Sequence, residues 1–195
     1  MLILTLSSVY ETIRRMSELP ADDGVRQLTV ADPDAAVLAH VAVVGDTYTI
    51  LISTEQSAGK YCLIDMLIPA GGGPPPHRHD FEEMFHVLDG SINVTLRDQT
   101  THARVGQTVN VPANVPHSFH NPTATTVRLL CLAAPGGLDE YFQAFGDAVA
   151  TRTTPAPALS DAELTQRMGR ARELAPRYRI DTLDVDGGSK PAAAQ

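Results

Sequence analysis

Two histidines stand one residue apart in the stretch PPPHRHDFEEMF. Residues two apart on a β-strand face the same side and lie about 6.6 Å apart along it, so His77 and His79 can direct both imidazoles at one point. Two converging neutral imidazoles are suited to binding a metal ion. Glu83 shares their parity, but on a straight strand it would lie about 13 Å beyond His79. We therefore expect the chain to bend between Asp80 and Glu82.

A third candidate ligand, His117, follows the proline-rich stretch VPANVP. It shares parity with Phe119 and Asn121, so the three would face one side of a strand. If that side is the interior of a barrel, three histidines and one glutamate can hold a divalent first-row metal. Such a set leaves one or two positions free for water, dioxygen or substrate. The alternative is that these histidines are scattered over the surface.

Hydrophobic periodicity predicts the elements that position these side chains. Residues 5–19 have apolar residues at helical spacing and predict a helix, and Pro20 ends this helix. From about Gln27 to Ala134 the pattern changes to short apolar runs rich in Val, Ile, Thr and Leu, separated by Gly, Pro and Asn at intervals of roughly ten residues. This pattern is typical of an antiparallel sandwich or barrel.

Helical spacing returns after residue 137, in LDEYFQAFGDAV and then in SDAELTQRMGRARELA. Ser160 and Glu163 are spaced as a capping box at the start of the second segment. We therefore divide the chain into an N-terminal helical segment (1–25), a β-barrel (26–135), a C-terminal helical extension (136–185) and a tail (186–195). The tail has nothing to bury, so we expect it to be disordered.

Three turn signals lie around the first histidines. Residues 71–73 are glycines that can form a corner, and the prolines at 74–76 favour a stiff, extended approach to His77. Asp89-Gly90 separates MFHVL from SINVTL and predicts a hairpin with a type I′ turn, which requires positive φ at both central residues.

The motif spacing resembles that of the cupin family. Gly71-x5-His77-x-His79-x3-Glu83-x6-Gly90 is similar to the first cupin motif, and Gly106-x5-Pro112-x-Asn114-x2-His117-x3-Asn121 is similar to the second. The departure is Asn114, where the family usually has Gly, although Asn tolerates positive φ. The resemblance implies an all-β fold, a single jelly-roll barrel, in which one divalent metal per chain is bound by His77, His79, Glu83 and His117.

Within that family the chain is similar to proteins related to quercetin dioxygenase. This implies a dioxygenase that acts on a flavonol-like or other enol-bearing aromatic compound, with Glu83 as both metal ligand and general base. Two alternatives remain open: a metal-containing cupin that binds a small molecule without turnover, and a sugar isomerase or epimerase. Fe, Ni, Co, Mn, Cu and Zn all accept imidazole and carboxylate ligands.

The strand pattern also assigns roles to neighbouring side chains. The predicted lining of a substrate pocket is apolar and comprises Phe85, Val87, Phe119, Met66 and Ile64. His86 and His120 have the opposite parity to the ligands and should point away from the metal. For Asn121 we expect a hydrogen bond that stabilises a turn. Parity and motif spacing both favour Glu83 over Glu82 as the ligand.

Composition limits the partners and the compartment. The net charge of −8 and the pI of about 5.2 disfavour nucleic acid and anionic membranes, so the expected partner is a small-molecule substrate. The first residues lack the features of a signal peptide, which predicts a cytoplasmic protein with Cys62 and Cys131 as reduced core thiols. Exposed edge strands and the apolar N-terminal helix predict a homodimer. The alternative is that the N-terminal segment or the C-terminal helices cap the barrel instead.

Overall fold

The computed structural model describes residues 19, 21–22 and 24–183. The strands in this part of the chain are β1 (His40–Val43), β2 (Asp46–Ile52), β3 (Cys62–Ile68), β4 (His77–His79), β5 (Glu82–Asp89), β6 (Ser91–Leu96), β7 (Gln99–Arg104), β8 (Thr108–Val111), β9 (His117–His120), β10 (Val127–Ala134), β11 (Asp147–Val149) and β12 (Ile180–Thr182). The helices are α1 (Leu138–Phe145) and α2 (Asp161–Leu174), and a short 3₁₀ helix follows at Ala175–Tyr178.

The strands form two antiparallel sheets. The larger has the order β11-β1-β2-β3-β10-β5-β8, and the smaller has the order β12-β4-β9-β6-β7. Buried side chains from both sheets, such as Phe85 of the first and Ile92 of the second, belong to one hydrophobic core. This arrangement confirms the predicted all-β architecture and is consistent with a jelly-roll barrel.

Alternation along the strands determines what faces the core. On β5 the buried residues are Glu83, Phe85 and Val87, and burial alternates along all eight residues of β10. Because successive side chains point to opposite faces of a sheet, the same face of β5 carries core hydrophobics and one carboxylate. Apolar alternation therefore also directs Glu83 into the barrel.

The predicted Asp89-Gly90 hairpin is wrong. β5 pairs with β10 and β8 in the larger sheet, whereas β6 pairs with β7 and β9 in the smaller one. Gly90 has a positive φ of 75°, but Asp89 does not. The chain crosses between sheets at Gly90, where an added Cβ atom would lie 2.8 Å from a methyl carbon of Val127. A turn dipeptide between two apolar runs does not reveal whether the runs pair with each other.

The C-terminal segment contains the two predicted helices and two strands that were not predicted. The capping box of α2 is present, since Ser160 and Glu163 each bond the backbone N–H of the other. The helical pattern predicted through residue 149 instead ends at Phe145, after which β11 pairs with β1. At Gly146 an added Cβ would lie 2.4 Å from Val41 Cγ1, so this close approach requires glycine.

The outer parts of the sequence prediction lie largely beyond the described residues. The N-terminal helix and the tail at 186–195 fall outside them. The first strand begins at His40, so residues 24–39 precede the barrel's first strand. Across the described ranges, no helix combines the length and apolar character needed to span a membrane.

Candidate metal centre

The four predicted ligands come from three strands. His77 and His79 lie on β4, Glu83 on β5 and His117 on β9. The antiparallel pairing of β4 with β9 puts His77 directly opposite His117. β4 ends at His79 and β5 begins in the other sheet at Glu82, so the predicted bend between them is present. This bend brings Glu83 back to the histidines.

The donor atoms of these four residues converge. Glu83 Oε2 lies 3.2 Å from the Nε2 atoms of both His79 and His117, and all four side chains offer donor atoms within 4.8 Å of one another. Ligand bonds of about 2.0–2.2 Å to a shared ion would separate neighbouring donor atoms by about 3 Å. His79, Glu83 and His117 are at most 5% exposed. The spacing therefore fits a single first-row metal ion.

Each imidazole is oriented by a backbone carbonyl. The Nδ1 atom lies 2.9 Å from a carbonyl oxygen two residues away in sequence, and the pairs are His77 with Pro75, His79 with Phe81, and His117 with Val115. A protonated Nδ1 that donates to such a carbonyl leaves Nε2 with its lone pair free for a metal. His79 also stacks on the Phe81 ring, with the two centroids 3.8 Å apart.

The electrostatics of the cluster favour a metal-binding protonation state. Burial raises the pKa of Glu83, but hydrogen bonds that His117 and His79 donate through Nε2 in the metal-free protein outweigh it and hold this pKa well below its usual range. A bound divalent ion would take the place of those Nε2 protons. Burial, helped by the neighbouring His117, lowers the pKa of His77 to about 4. At neutral pH the cluster therefore presents a carboxylate and a neutral His77 imidazole, as a divalent cation requires.

Cys131 contacts the cluster, a role that the sequence did not suggest. Cys62 and Cys131 are both buried free cysteines, as expected. The Cys131 thiol lies 3.4 Å from Glu83 Oε1, to which it can donate. Burial, followed by the charge of Glu83, raises the pKa of Cys131, so it remains a neutral thiol. The sequence feature that could have revealed this contact is the inward parity of Cys131 on β10, where it pairs with Phe85.

The other polar residues lie where parity predicted. His86 bonds to Thr108 and His120 is exposed, and neither belongs to the cluster. Glu82 faces outward and accepts from the side chain of Asn110 and the backbone of Ala113.

The second cupin-like motif also adopts the expected turn. Asn114 has a positive φ of 67°, as its place in the motif predicted. Asn121 donates to the carbonyl oxygens of Ile68, Pro69 and Thr125 and accepts from Thr123, so it stabilises a turn. Both asparagines therefore shape the loops around His117.

A largely apolar cavity adjoins the cluster. Of the predicted lining residues, Met66 and Phe119 border this cavity, whereas Ile64, Phe85 and Val87 are fully buried in the core outside its lining. The C-terminal segment supplies much of the remaining wall, with Leu138, Tyr141, Phe142, Phe145, Met168 and Ile180. Sequence reasoning missed this wall because helix periodicity reveals an apolar face but not what it covers.

Two polar residues of β2 also border the cavity. Asp46 and Tyr48 are 3% and 4% exposed, and the Tyr48 hydroxyl donates to Asp46 Oδ2 over 2.9 Å. Burial raises the pKa of Asp46 to about 7, although the bond from Tyr48 opposes this shift. Burial raises the pKa of Tyr48, and the charges of Asp46 and Glu83 raise it further. Neither residue was predicted from the sequence, although their shared parity on an apolar strand was a usable signal.

Two antiparallel sheets around one core, with three histidines and a glutamate converging inside, define a β-barrel with an internal metal-ligand cluster. Residues 64–133 match the family described as "Cupin domain", and this stretch includes all four ligands. Residues 64–133 therefore form a cupin domain.

Comparison with individual proteins gives distant relatives of several kinds. The chain is 24% identical to quercetin 2,3-dioxygenase of Bacillus subtilis over 101 residues, which is 51% of this chain and 30% of that one. It is 34% identical to the transcriptional regulator PuuR of Escherichia coli over 58 residues, 30% of this chain and 31% of the regulator. The chain thus spans about a third of the length of these curated relatives.

Among solved structures, the chain is similar to a predicted oxalate decarboxylase of Thermotoga maritima. The TM-score is 0.49 at 18% identity, covering 55% of this chain and 99% of that one.

Proposed function

We propose that this protein is a metal-dependent dioxygenase acting on a flavonol-like or other enol-bearing aromatic small molecule. The observation that carries the proposal is the convergence of His77, His79, Glu83 and His117 beside a cavity with mainly apolar walls. The similarity to a quercetin 2,3-dioxygenase supports the same substrate class.

The donor set defines what a bound metal would contribute. A divalent ion held by His77, His79, Glu83 and His117 would supply Lewis acidity and one or two open positions for substrate or dioxygen. The chain itself holds the imidazoles in one orientation through their Nδ1 atoms. Apolar side chains such as Met66 and Phe119 exclude water and contact a flat ring system.

Glu83 is the proposed acceptor of the enol proton. Its Oε2 atom faces His79 and His117, so Oε1, which contacts the Cys131 thiol, is the oxygen available to take the proton. The low pKa of Glu83 makes it a weak base in the resting cluster. The role therefore requires Glu83 to shift when substrate binds, which weakens its bonds to the histidines and raises its basicity.

The primary experiment measures metal and oxygen together. Protein purified without an affinity tag is assayed for bound metal, loaded in turn with Fe, Ni, Co and Mn, and then tested for oxygen uptake with a panel of flavonols and related enols. We expect uptake with at least one metal. Absence of uptake across the panel, from protein holding one metal per chain, would overturn the dioxygenase assignment.

Glu83→Gln separates binding from turnover. The amide oxygen keeps a weak lone pair toward the metal but cannot accept the substrate proton, so we expect metal to be partly retained. Oxygen uptake should fall by about 10²- to 10⁴-fold, the range typical of positioned acid–base catalysis. Retained uptake in the metal-loaded variant would exclude Glu83 as the base.

The second candidate is a cupin that binds a small molecule without turnover. The similarity over 58 residues to a protein named as a transcriptional regulator favours it. In this case a flavonol would bind the metal-loaded protein with no oxygen consumed. The binding measurement made beside the uptake assay distinguishes the two functions.

A further inference from the structure

An acidic residue with an unpartnered oxygen borders the cavity described above. Asp46 begins β2 and is 3% exposed. Its Oδ2 accepts from Tyr48, but its Oδ1 is buried and has no hydrogen-bond partner within the described part of the chain. A buried acceptor left unpaired is unfavourable, so its retention calls for an explanation.

The other buried aspartates show that this fold can satisfy such groups. Thr54 donates to both carboxylate oxygens of Asp139, through its backbone N–H and its hydroxyl. Arg128 donates to both oxygens of Asp65. Neither Asp139 nor Asp65 borders the cavity. Within the described residues, the buried aspartate that borders the cavity is the one that lacks a partner, as expected for a group that bonds to a ligand.

Asp46 and Glu83 both border the cavity but lie on strands that are not neighbours in the larger sheet. β2 is three strands from β5, which carries Glu83, and strands are spaced by about 4.8 Å. Asp46 Oδ1 packs against Gly72, where an added Cβ would lie 2.5 Å from it. A ligand that reaches both Asp46 and Glu83 must span this separation, and the aromatic residues that border the cavity favour fused or linked rings.

We propose that Asp46 and Tyr48 form a second, polar subsite, which accepts a hydrogen bond from a hydroxyl group on an elongated aromatic ligand whose enol end faces the four ligand residues. The assignment of the enol end rests on the proposed function, whereas the polar subsite requires no turnover. The terminal torsion of an aspartate is soft, so a partial rotation of the Asp46 carboxyl group on ligand binding turns Oδ1 toward the cavity while Oδ2 stays within reach of the Tyr48 hydroxyl.

The test compares probes that differ by one hydroxyl group. Binding of 3-hydroxyflavone, 3,7-dihydroxyflavone and 3,4′-dihydroxyflavone to metal-loaded protein is measured by calorimetry without oxygen at pH 8, where Asp46 is mainly ionised because its pKa is about 7. We expect at least one dihydroxy probe to bind wild type about tenfold more tightly than 3-hydroxyflavone, as for a hydrogen bond to a charged acceptor.

Two variants of the subsite and one control complete the design. Asp46→Asn replaces the free acceptor with a donor while Tyr48 stays bonded, so the preference should fall to about twofold or less. Tyr48→Phe keeps the ring and removes the hydroxyl, which should also reduce the preference. Asp139→Asn alters a buried aspartate outside the cavity lining and should leave the preference unchanged. Metal content is measured in every variant and should not change at Asp46 or Tyr48.

Two kinds of result would overturn the subsite. One is wild-type protein that binds all three probes equally or binds none of them. The other is a preference that persists in Asp46→Asn, or in Tyr48→Phe if the first variant does not fold. Oxygen uptake with 3-hydroxyflavone reports separately on the dioxygenase. A hydroxyl preference without oxygen uptake would support the subsite and overturn the dioxygenase assignment. Oxygen uptake without a hydroxyl preference would support the dioxygenase and overturn the subsite.

Discussion

The orientation of the three imidazoles depends on the backbone rather than on other side chains. Each Nδ1 bonds a carbonyl two residues away, so the local fold of each strand end determines the direction of its Nε2. The direction of each imidazole is therefore set by short-range geometry, whereas the pairing of β4 with β9 brings His117 to the other three residues. A change at one ligand should leave the other imidazoles in place.

The first prediction tests parity among the histidines. His77→Ala and His117→Ala each remove an inward donor, and we expect metal content to fall severalfold or more. His86→Ala and His120→Ala remove outward rings and should leave metal content near wild type. Elemental analysis of the four purified proteins makes the measurement. Equal losses in all four would contradict the assigned site.

The second prediction concerns the pH dependence of stability at Asp46. Its pKa rises on folding from 3.8 to about 7, so between these values the folded state holds a proton that the unfolded state has lost. Stability therefore falls as pH rises from about 4 to 7. The Asp46→Asn variant lacks this titration. Its free energy of unfolding minus that of wild type should therefore increase by up to about 4 kcal/mol as the pH rises through that range.

Urea unfolding of metal-free wild type and Asp46→Asn at pH 5, 6, 7 and 8 measures this difference. Comparison of the two proteins cancels the titration of the ligand residues, which both share. A stability difference that does not change with pH would show that Asp46 titrates normally.

At the scale of elements, the glycine and proline segment before β4 holds the first two histidines against β9. Gly71 and Gly73 both have positive φ, of 74° and 126°. An added Cβ at Gly73 would lie 2.2 Å from the carbonyl oxygen of Phe119, whereas Gly71 has open space around it. The close approach at Gly73 therefore links the position of β4 to that of β9.

The third prediction uses these two glycines as a matched pair. Gly73→Ala must displace backbone and should cost about 2–4 kcal/mol, with a clear loss of bound metal. Gly71→Ala meets only the strain of positive φ and should cost about 1–2 kcal/mol with metal content maintained. Denaturant unfolding and elemental analysis compare the two. Similar metal content in both variants would show that the close approach does not position the ligands.

At the scale of the whole molecule, a run of apolar residues lies outside the barrel. Leu28, Val30 and Val37 are 92%, 88% and 89% exposed, although they precede a well-packed strand. Apolar side chains this exposed favour contact with another surface. Together with the open edges at β7 and β8, they motivate the homodimer that the sequence predicted.

The fourth prediction is that the full chain sediments as a dimer at micromolar concentration. Leu28→Asp combined with Val30→Asp should weaken the dimer at least tenfold, because two charges enter an apolar contact. Leu164→Asp, at a residue of α2 that is 39% exposed, serves as the control and should leave the dimer unchanged. A wild-type protein that sediments as a monomer would refute the prediction.

The barrel and the candidate ligand residues were predictable from the sequence alone, because strand alternation and motif spacing are short-range features. Strand alternation with a period of two directs Glu83, His77, His79 and His117 to one side, and motif spacing sets the bend that lets them meet. The capping box at Ser160 was equally readable, since cap and partner are three residues apart.

Only the tertiary structure decided which strands pair and what covers the site. Asp89-Gly90 resembled a hairpin because local turn chemistry carries no information about which sheet each flanking strand joins. The contact of Cys131 with Glu83, the wall formed by α1 and α2, and the pairing of β12 with β4 all join residues distant in sequence. Their positions follow from packing of the whole chain, so the unpartnered oxygen of Asp46 became visible only when its surroundings were assembled.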